Sequence, residues 1–145
     1  MFSVKRILIA AASLGLAACA MTALPDKLDL RTTRVTADGQ FQVSIHPLVR
    51  NVPVNQIHAW EIDVKSATGT PVSGAKIDFD GGMPQHMHGY PTQPRVTAEL
   101  GNGRYRLDGV KFSMTGWWEM KLKIQAGERK DQVTFNTIVT DPVKG

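Results

Sequence analysis

The chain has 145 residues, a formal net charge of +4, 42% hydrophobic residues and a single cysteine. This length corresponds to one ordinary domain, and the composition excludes both a disordered chain and a polytopic membrane protein. Lys and Arg are scattered along the chain instead of being clustered, so nucleic acid is not expected as a partner.

The first 18 residues have the layout of an export signal. Lys5 and Arg6 form a basic start, and an apolar stretch over 7–16 follows that is too short to span a bilayer. The stretch ends in the string LAAC at 16–19, which resembles the bacterial lipobox. That resemblance implies cleavage before Cys19 and attachment of lipid to its thiol.

A lipidated Cys19 would hold the protein on a membrane of the bacterial cell envelope, facing the periplasm, with residues 19–27 as a tether. The alternative is ordinary signal cleavage after Ala20, which would release a free secreted protein. Because Cys19 is the only cysteine, the domain predicted over 28–145 contains none. This excludes a disulfide framework, a cysteine zinc site, a thiol nucleophile and a His₂Cys copper centre.

After the tether, apolar and polar residues alternate in short segments separated by Gly, Pro, Asn and Asp, a pattern that predicts β-strands. In chain order these segments are 28–35, 41–45, 58–65, 75–79, 96–100, 105–107, 110–114, 118–124 and 133–139. Seven to nine strands on one domain predict an all-β, immunoglobulin-like β-sandwich, with a closed barrel as the alternative. Tyr105, after the turn at Gly103, is expected to bond upstream backbone as a tyrosine corner, and Trp60 to lie centrally.

The alternation stops in a loop over 80–94 that is rich in Gly, Pro, Met and His. Two of the four histidines and two of the six methionines lie within six positions, at Met83, His86, Met87 and His88. If the loop is locally extended, both histidines project to the same side and can reach one ion at about 2 Å. Imidazole with thioether is a ligand set that suits Cu(I), so the loop predicts a copper site.

Two further residues are candidates for the same site. His58 begins its strand on the face that carries Trp60, and Met114 ends a strand, so either could lie beside the loop. The structural alternatives are that His58 is a hydrogen-bonded core histidine and that Met83 or Met87 plugs the open end of the core. His46 has no companions in the sequence and is interpreted as structural.

These residues fall in a pattern that resembles the YtkA-like and FixH-like group of exported bacterial domains. The signature M-P-x-H-x-H-G corresponds to 83–89, the G-x-Y element to 103–105 and the G-W-W element to 116–118. The resemblance implies an immunoglobulin-like sandwich among periplasmic proteins that handle copper or assist the assembly of copper oxidases. It carries over Met83, His86 and His88 as site residues, with His58 as companion.

The sequence therefore predicts a non-enzymatic lipoprotein that binds or hands on copper through the Met/His loop, in copper homeostasis or oxidase assembly. Its partner would be another envelope copper protein or an oxidase subunit. The chain has no G-x-S-x-G elbow, P-loop or dinucleotide-binding string, which argues against an enzyme. The alternative is a metal-independent protein-interaction module that docks through the loop and an exposed Trp117.

Overall fold

The computed structural model describes residues 24–141, and this part of the chain contains nine strands, one short 3₁₀ turn and no α-helix. The strands are β1 (Thr33–Val35), β2 (Phe41–Pro47), β3 (His58–Ser66), β4 (Lys76–Met83), β5 (His88–Gly89), β6 (Arg95–Gly101), β7 (Arg104–Val110), β8 (Gly116–Ala126) and β9 (Arg129–Val139). The 3₁₀ turn Pro84–His86 joins β4 to β5. Within 24–141 no helix has the length and apolar character needed to cross a bilayer.

The strands form two antiparallel sheets. One has the order β1-β2-β3-β7-β6 and the other the order β5-β4-β8-β9. Their facing sides share one core, which includes Phe41 and Ile62 from the first sheet and Leu122 and Phe135 from the second. The predicted all-β fold is confirmed, and the strands form two separate sheets instead of one closed barrel.

Two aromatic residues occupy the positions expected from the sequence. Tyr105 is buried in β7, and its hydroxyl donates to the Val72 carbonyl and accepts the Ala75 N–H at 3.0 Å. This links β7 to the chain that leads into β4, as a tyrosine corner does. Trp60 lies in the core at 3% exposure.

Several predicted elements have different bounds in the structure. The first strand covers only Thr33–Val35 of the predicted 28–35. β4 continues four residues beyond the predicted end at 79, through two glycines to Met83, because its backbone keeps pairing with β8 as far as Gly82. The segment 110–114 is not a strand of its own: Val110 ends β7, and Phe112 makes an isolated bridge to Val54.

The prediction that Trp117 is exposed is wrong. Its side chain is only 8% exposed, and its indole N–H donates to the Asn136 side-chain oxygen at 2.9 Å. The Asn136 amide donates in turn to the Asp29 carbonyl at 2.9 Å, which holds the chain before β1 beside Trp117. The predicted signal peptide at 1–18 and Cys19 lie outside the described residues.

Candidate metal centre

The predicted Met/His loop is a narrow hairpin formed by β4, the 3₁₀ turn and β5. Pro84 lies at the start of the turn, where its fixed φ and missing N–H carry no cost. Met87 ends the turn in the left-handed conformation at φ +51°, so that His88 returns to pair with Met83 across the hairpin. This geometry corrects the expectation of an extended loop.

The turn brings His86 and His88 together. Their ring centroids are 5.9 Å apart, and the ring planes are inclined by 29°. Two imidazoles that bind one ion at about 2 Å have centroids about 5–6 Å apart, depending on the angle at the ion. The separation of the two rings therefore fits one shared ion.

A hydrogen bond determines which ring nitrogen of His88 carries the proton. Its Nδ1 lies 3.0 Å from the Gly89 carbonyl oxygen, which can only accept, so Nδ1 carries the proton. The lone pair is then on Nε2, the atom that a metal would use. Hydrogen bonds of this kind fix the tautomer and orientation of metal-binding histidines.

The two loop methionines lie in opposite environments. Met83 is 1% exposed and is the direct cross-strand partner of His88, so the two side chains start on the same face of the hairpin. The Met83 methyl lies against Gly116 of β8, 2.9 Å from where a Cβ would be. Met87 is 92% exposed at the tip of the turn.

A group of aromatic rings lies beside the hairpin, of which Trp118 and Phe112 are buried and Tyr90 is half-buried. Trp118 of β8 meets the His88 ring edge-on at 5.6 Å, and packs against Tyr90 at 5.0 Å and Phe112 at 5.3 Å. The Tyr90 hydroxyl donates to the Glu119 carbonyl at 3.2 Å. Burial and the charge of Glu119 raise the pKa of this hydroxyl well above its usual range, so it stays a neutral donor.

The structure does not bring His58 to the loop histidines. His58 lies in β3 of the five-stranded sheet. The centroid of its ring is 5.5 Å from that of Phe112 and 6.3 Å from that of Trp60. Nδ1 bonds the Gln56 carbonyl at 3.1 Å, while Nε2 is buried with no hydrogen-bond partner among the described residues. Within 24–141, His58 belongs to no group of three donor residues that could share an ion.

The buried ring of His58 makes stability depend on pH. Burial lowers the pKa of the His58 imidazole below its usual 6.5, although the hydrogen bond to Gln56 acts in the opposite direction. As the pH falls through 6.5 the unfolded chain takes up a proton that the folded chain resists, so the free energy of unfolding decreases. We expect His58→Gln to remove this part of the pH dependence.

The measurement is urea unfolding of both proteins between about pH 5 and pH 8, using the standard range in which imidazoles titrate. All other titrating groups are common to the two proteins, so the difference between the curves isolates His58. A difference that stays constant over the whole range contradicts the expectation.

The backbone of Met114 contacts the same group of aromatic rings. Its carbonyl accepts the Trp118 indole N–H at 3.1 Å, and its side chain is 38% exposed. The structure therefore gives this residue a backbone role beside the hairpin.

One cluster of ionisable residues leaves no signal in the sequence pattern. His46, Glu61 and Asp63 lie together on neighbouring strands, each with one donor atom within 4.8 Å of the others. The alternation in β2 and β3 places all three on the outer face, but the pairing register that makes His46 face Glu61 is not readable from a single sequence.

The family model of YtkA-like proteins matches residues 33–123 of the chain. The chain therefore belongs to the YtkA-like family. The matched segment begins with β1, includes the whole Met/His hairpin and ends within β8. Comparisons with curated proteins and with solved structures found no match.

Proposed function

We propose that this protein binds a copper ion at the hairpin, with His86 and His88 as its two imidazole ligands. The observation that carries the proposal is the 5.9 Å separation of their rings, together with the hydrogen bond that leaves Nε2 of His88 free. Imidazole suits both oxidation states of copper.

Met83 would supply a soft thioether that favours Cu(I). Its cross-strand position opposite His88 supports this role, because the two side chains start on the same face of the hairpin. Met87 would add a second thioether from the exposed tip, where an ion arrives from solvent or from another protein. His58 is not included in the proposed ligand set, because within residues 24–141 it shares no group of three close donor residues with the loop histidines.

The setting that we propose is the bacterial cell envelope. A lipid on Cys19 would anchor an immunoglobulin-like sandwich that faces the periplasm and holds or hands on copper without catalysing a reaction. Its partner would be an envelope copper protein or an oxidase subunit. The competing function, a metal-independent docking module, relied on an exposed Trp117 and loses support because that side chain is buried.

The test is a competition titration of the full-length chain with a chromophoric chelator, once with Cu(I) and once with Cu(II). We expect His86→Ala/His88→Ala to lower the affinity for both ions by at least about 100-fold, since loss of even supporting groups costs 10–100-fold. Met83→Leu, which conserves volume, should weaken Cu(I) more than Cu(II).

Asp78→Asn is the control, because it neutralises a carboxylate whose side chain is 64% exposed and which belongs to neither proposed metal site. It should leave the copper affinity of the hairpin unchanged. Equal copper binding by the wild type and the double variant would remove the proposed site.

A further inference from the structure

A second group of donor atoms lies on the outer face of the five-stranded sheet, away from the hairpin. His46 of β2 is directly opposite Glu61 of β3, and Asp63 follows two residues later on the same face. Nε2 of His46 is 3.6 Å from Oε1 of Glu61, and Nδ1 is 3.8 Å from Oδ2 of Asp63. Antiparallel pairing thus brings one imidazole and two carboxylates together, with one donor atom of each within 4.8 Å of the others.

Glu61 is unusual among the acidic residues of an outer sheet face. It is only 8% exposed, so its carboxylate is largely withdrawn from water. Its charged neighbours are His46 and the Arg104 guanidinium, each at 3.6 Å. A carboxylate that is withdrawn from water needs positive charge close by, and these contacts are longer than hydrogen bonds.

We propose that His46, Glu61 and Asp63 bind a divalent transition-metal ion of the Zn²⁺ type. Tetrahedral ligands at about 2.0–2.2 Å from one ion lie about 3.3–3.6 Å apart, close to the separation of His46 and Glu61. Nε2 faces Glu61 and Nδ1 faces Asp63, so metal binding would require the 48% exposed His46 ring to turn one nitrogen toward both carboxylates. Three protein ligands leave a fourth position open to water.

Arg104 would compete with the metal ion for the Glu61 carboxylate. Its guanidinium lies 3.6 Å from Glu61, and its side chain is 46% exposed, so it can withdraw into solvent when a cation binds. A variant of Arg104 should therefore change the metal affinity in the opposite direction from a variant that removes a ligand. Removal of the Arg104 charge should strengthen metal binding, a result that a misfolded protein cannot produce.

The cluster of His46, Glu61 and Asp63 is separate from the Met/His hairpin, which belongs to the other sheet. Zinc should therefore be titrated into the full-length chain that carries His86→Ala and His88→Ala, where the hairpin no longer competes. We expect this protein to bind one Zn²⁺ in competition with a chromophoric chelator. His46→Ala and Asp63→Asn should each lower the affinity at least about tenfold.

Arg104→Gln should raise the zinc affinity about two- to fivefold, the range expected for an exposed ion pair. Asp78→Asn is the matched control, because it neutralises an exposed carboxylate of the other sheet that pairs only with Lys76 in the described chain. Zinc should also shift the imidazole NMR signals of His46. Unchanged affinity in His46→Ala, or an equal loss in Asp78→Asn, overturns the proposal, as does a complete lack of zinc binding.

Discussion

Replacement of Gly82 with Ala is expected to lower the free energy of unfolding by about 3–5 kcal/mol, from backbone strain and overpacking together. A Cβ at this position would be 2.2 Å from the His88 carbonyl oxygen and 2.8 Å from the Gly89 Cα. Both contacts are with backbone atoms, so no side chain can move aside to relieve them. The residue also has φ +154°, which side-chain-bearing residues rarely adopt.

The hairpin itself must open to accept the methyl group. β5 is only two residues long and pairs with β4 through Gly82–Gly89 and Met83–His88. We therefore expect Gly82→Ala to weaken copper binding as well as the fold, since His88 would move away from Met83.

Urea unfolding followed by tryptophan fluorescence measures the loss of stability. Gly127→Ala is the matched control: it has φ +61°, but a Cβ there meets nothing within 4 Å. It should lower the free energy of unfolding only by the cost of placing a side chain on a left-handed backbone, about 1–2 kcal/mol. If the two variants lose the same free energy, the close approach of β5 to Gly82 is not the cause.

Much of the fold follows from alternation alone. The observed positions of β2 and β3 nearly match the predicted ones because Phe41, Val43, Ile62 and Val64 face the core and alternate with polar residues. A period of two is informative only when the two faces of a strand differ in this way. The same reason accounts for the prediction of β8 and β9.

The end of β4 could not be predicted in this way. Gly81 and Gly82 have no side chains to alternate, and glycine is depleted in strands. The strand continues because Gly81 pairs with Met120 and allows a close approach to the Glu119 carbonyl, 2.1 Å from where a Cβ would be. Long-range pairing of this kind leaves no local signal.

Trp117 illustrates a second limit. The alternation in β8 placed it correctly on the face opposite Trp118, and outer faces of antiparallel sheets are commonly solvated. Its burial depends on Asn136 and on the chain near Asp29, which comes from the far end of the sequence. Contacts with such an irregular segment have no period that a sequence pattern could reveal.

The candidate copper site was predicted for a partly different reason from the one that the structure gives. Spacing of two residues suggested that an extended chain would align His86 with His88. The rings approach each other instead because a 3₁₀ turn is closed by left-handed Met87. The composition of the loop identified the donors, but turn geometry determines their arrangement.

The Trp118 ring links the hairpin to the core. It is completely buried, and its ring contacts His88, Tyr90 and Phe112. We expect Trp118→Ala to lower the free energy of unfolding by about 3–5 kcal/mol, the usual cost when a large aromatic side chain leaves a cavity. The variant would also leave the Met114 carbonyl without the indole N–H that it accepts.

Trp118→Phe separates these contributions. Phe retains an aromatic ring in the core but cannot donate to Met114, so the loss should be about 1–2 kcal/mol, mainly from the broken hydrogen bond. Urea unfolding followed by far-ultraviolet circular dichroism suits both variants, because their tryptophan content differs from the wild type. An equal loss in the two variants would show that the hydrogen bond, and not the packed ring, carries the stability.

The position of Trp118 also predicts that copper binding at the hairpin changes the tryptophan fluorescence. Because its ring lies 5.6 Å from His88, a copper ion bound there should quench its fluorescence. Trp118→Phe should abolish this part of the quenching while His86 and His88 still bind the ion. Quenching that persists in full would mean that copper binds near another tryptophan, and the hairpin would lose its role as the binding site.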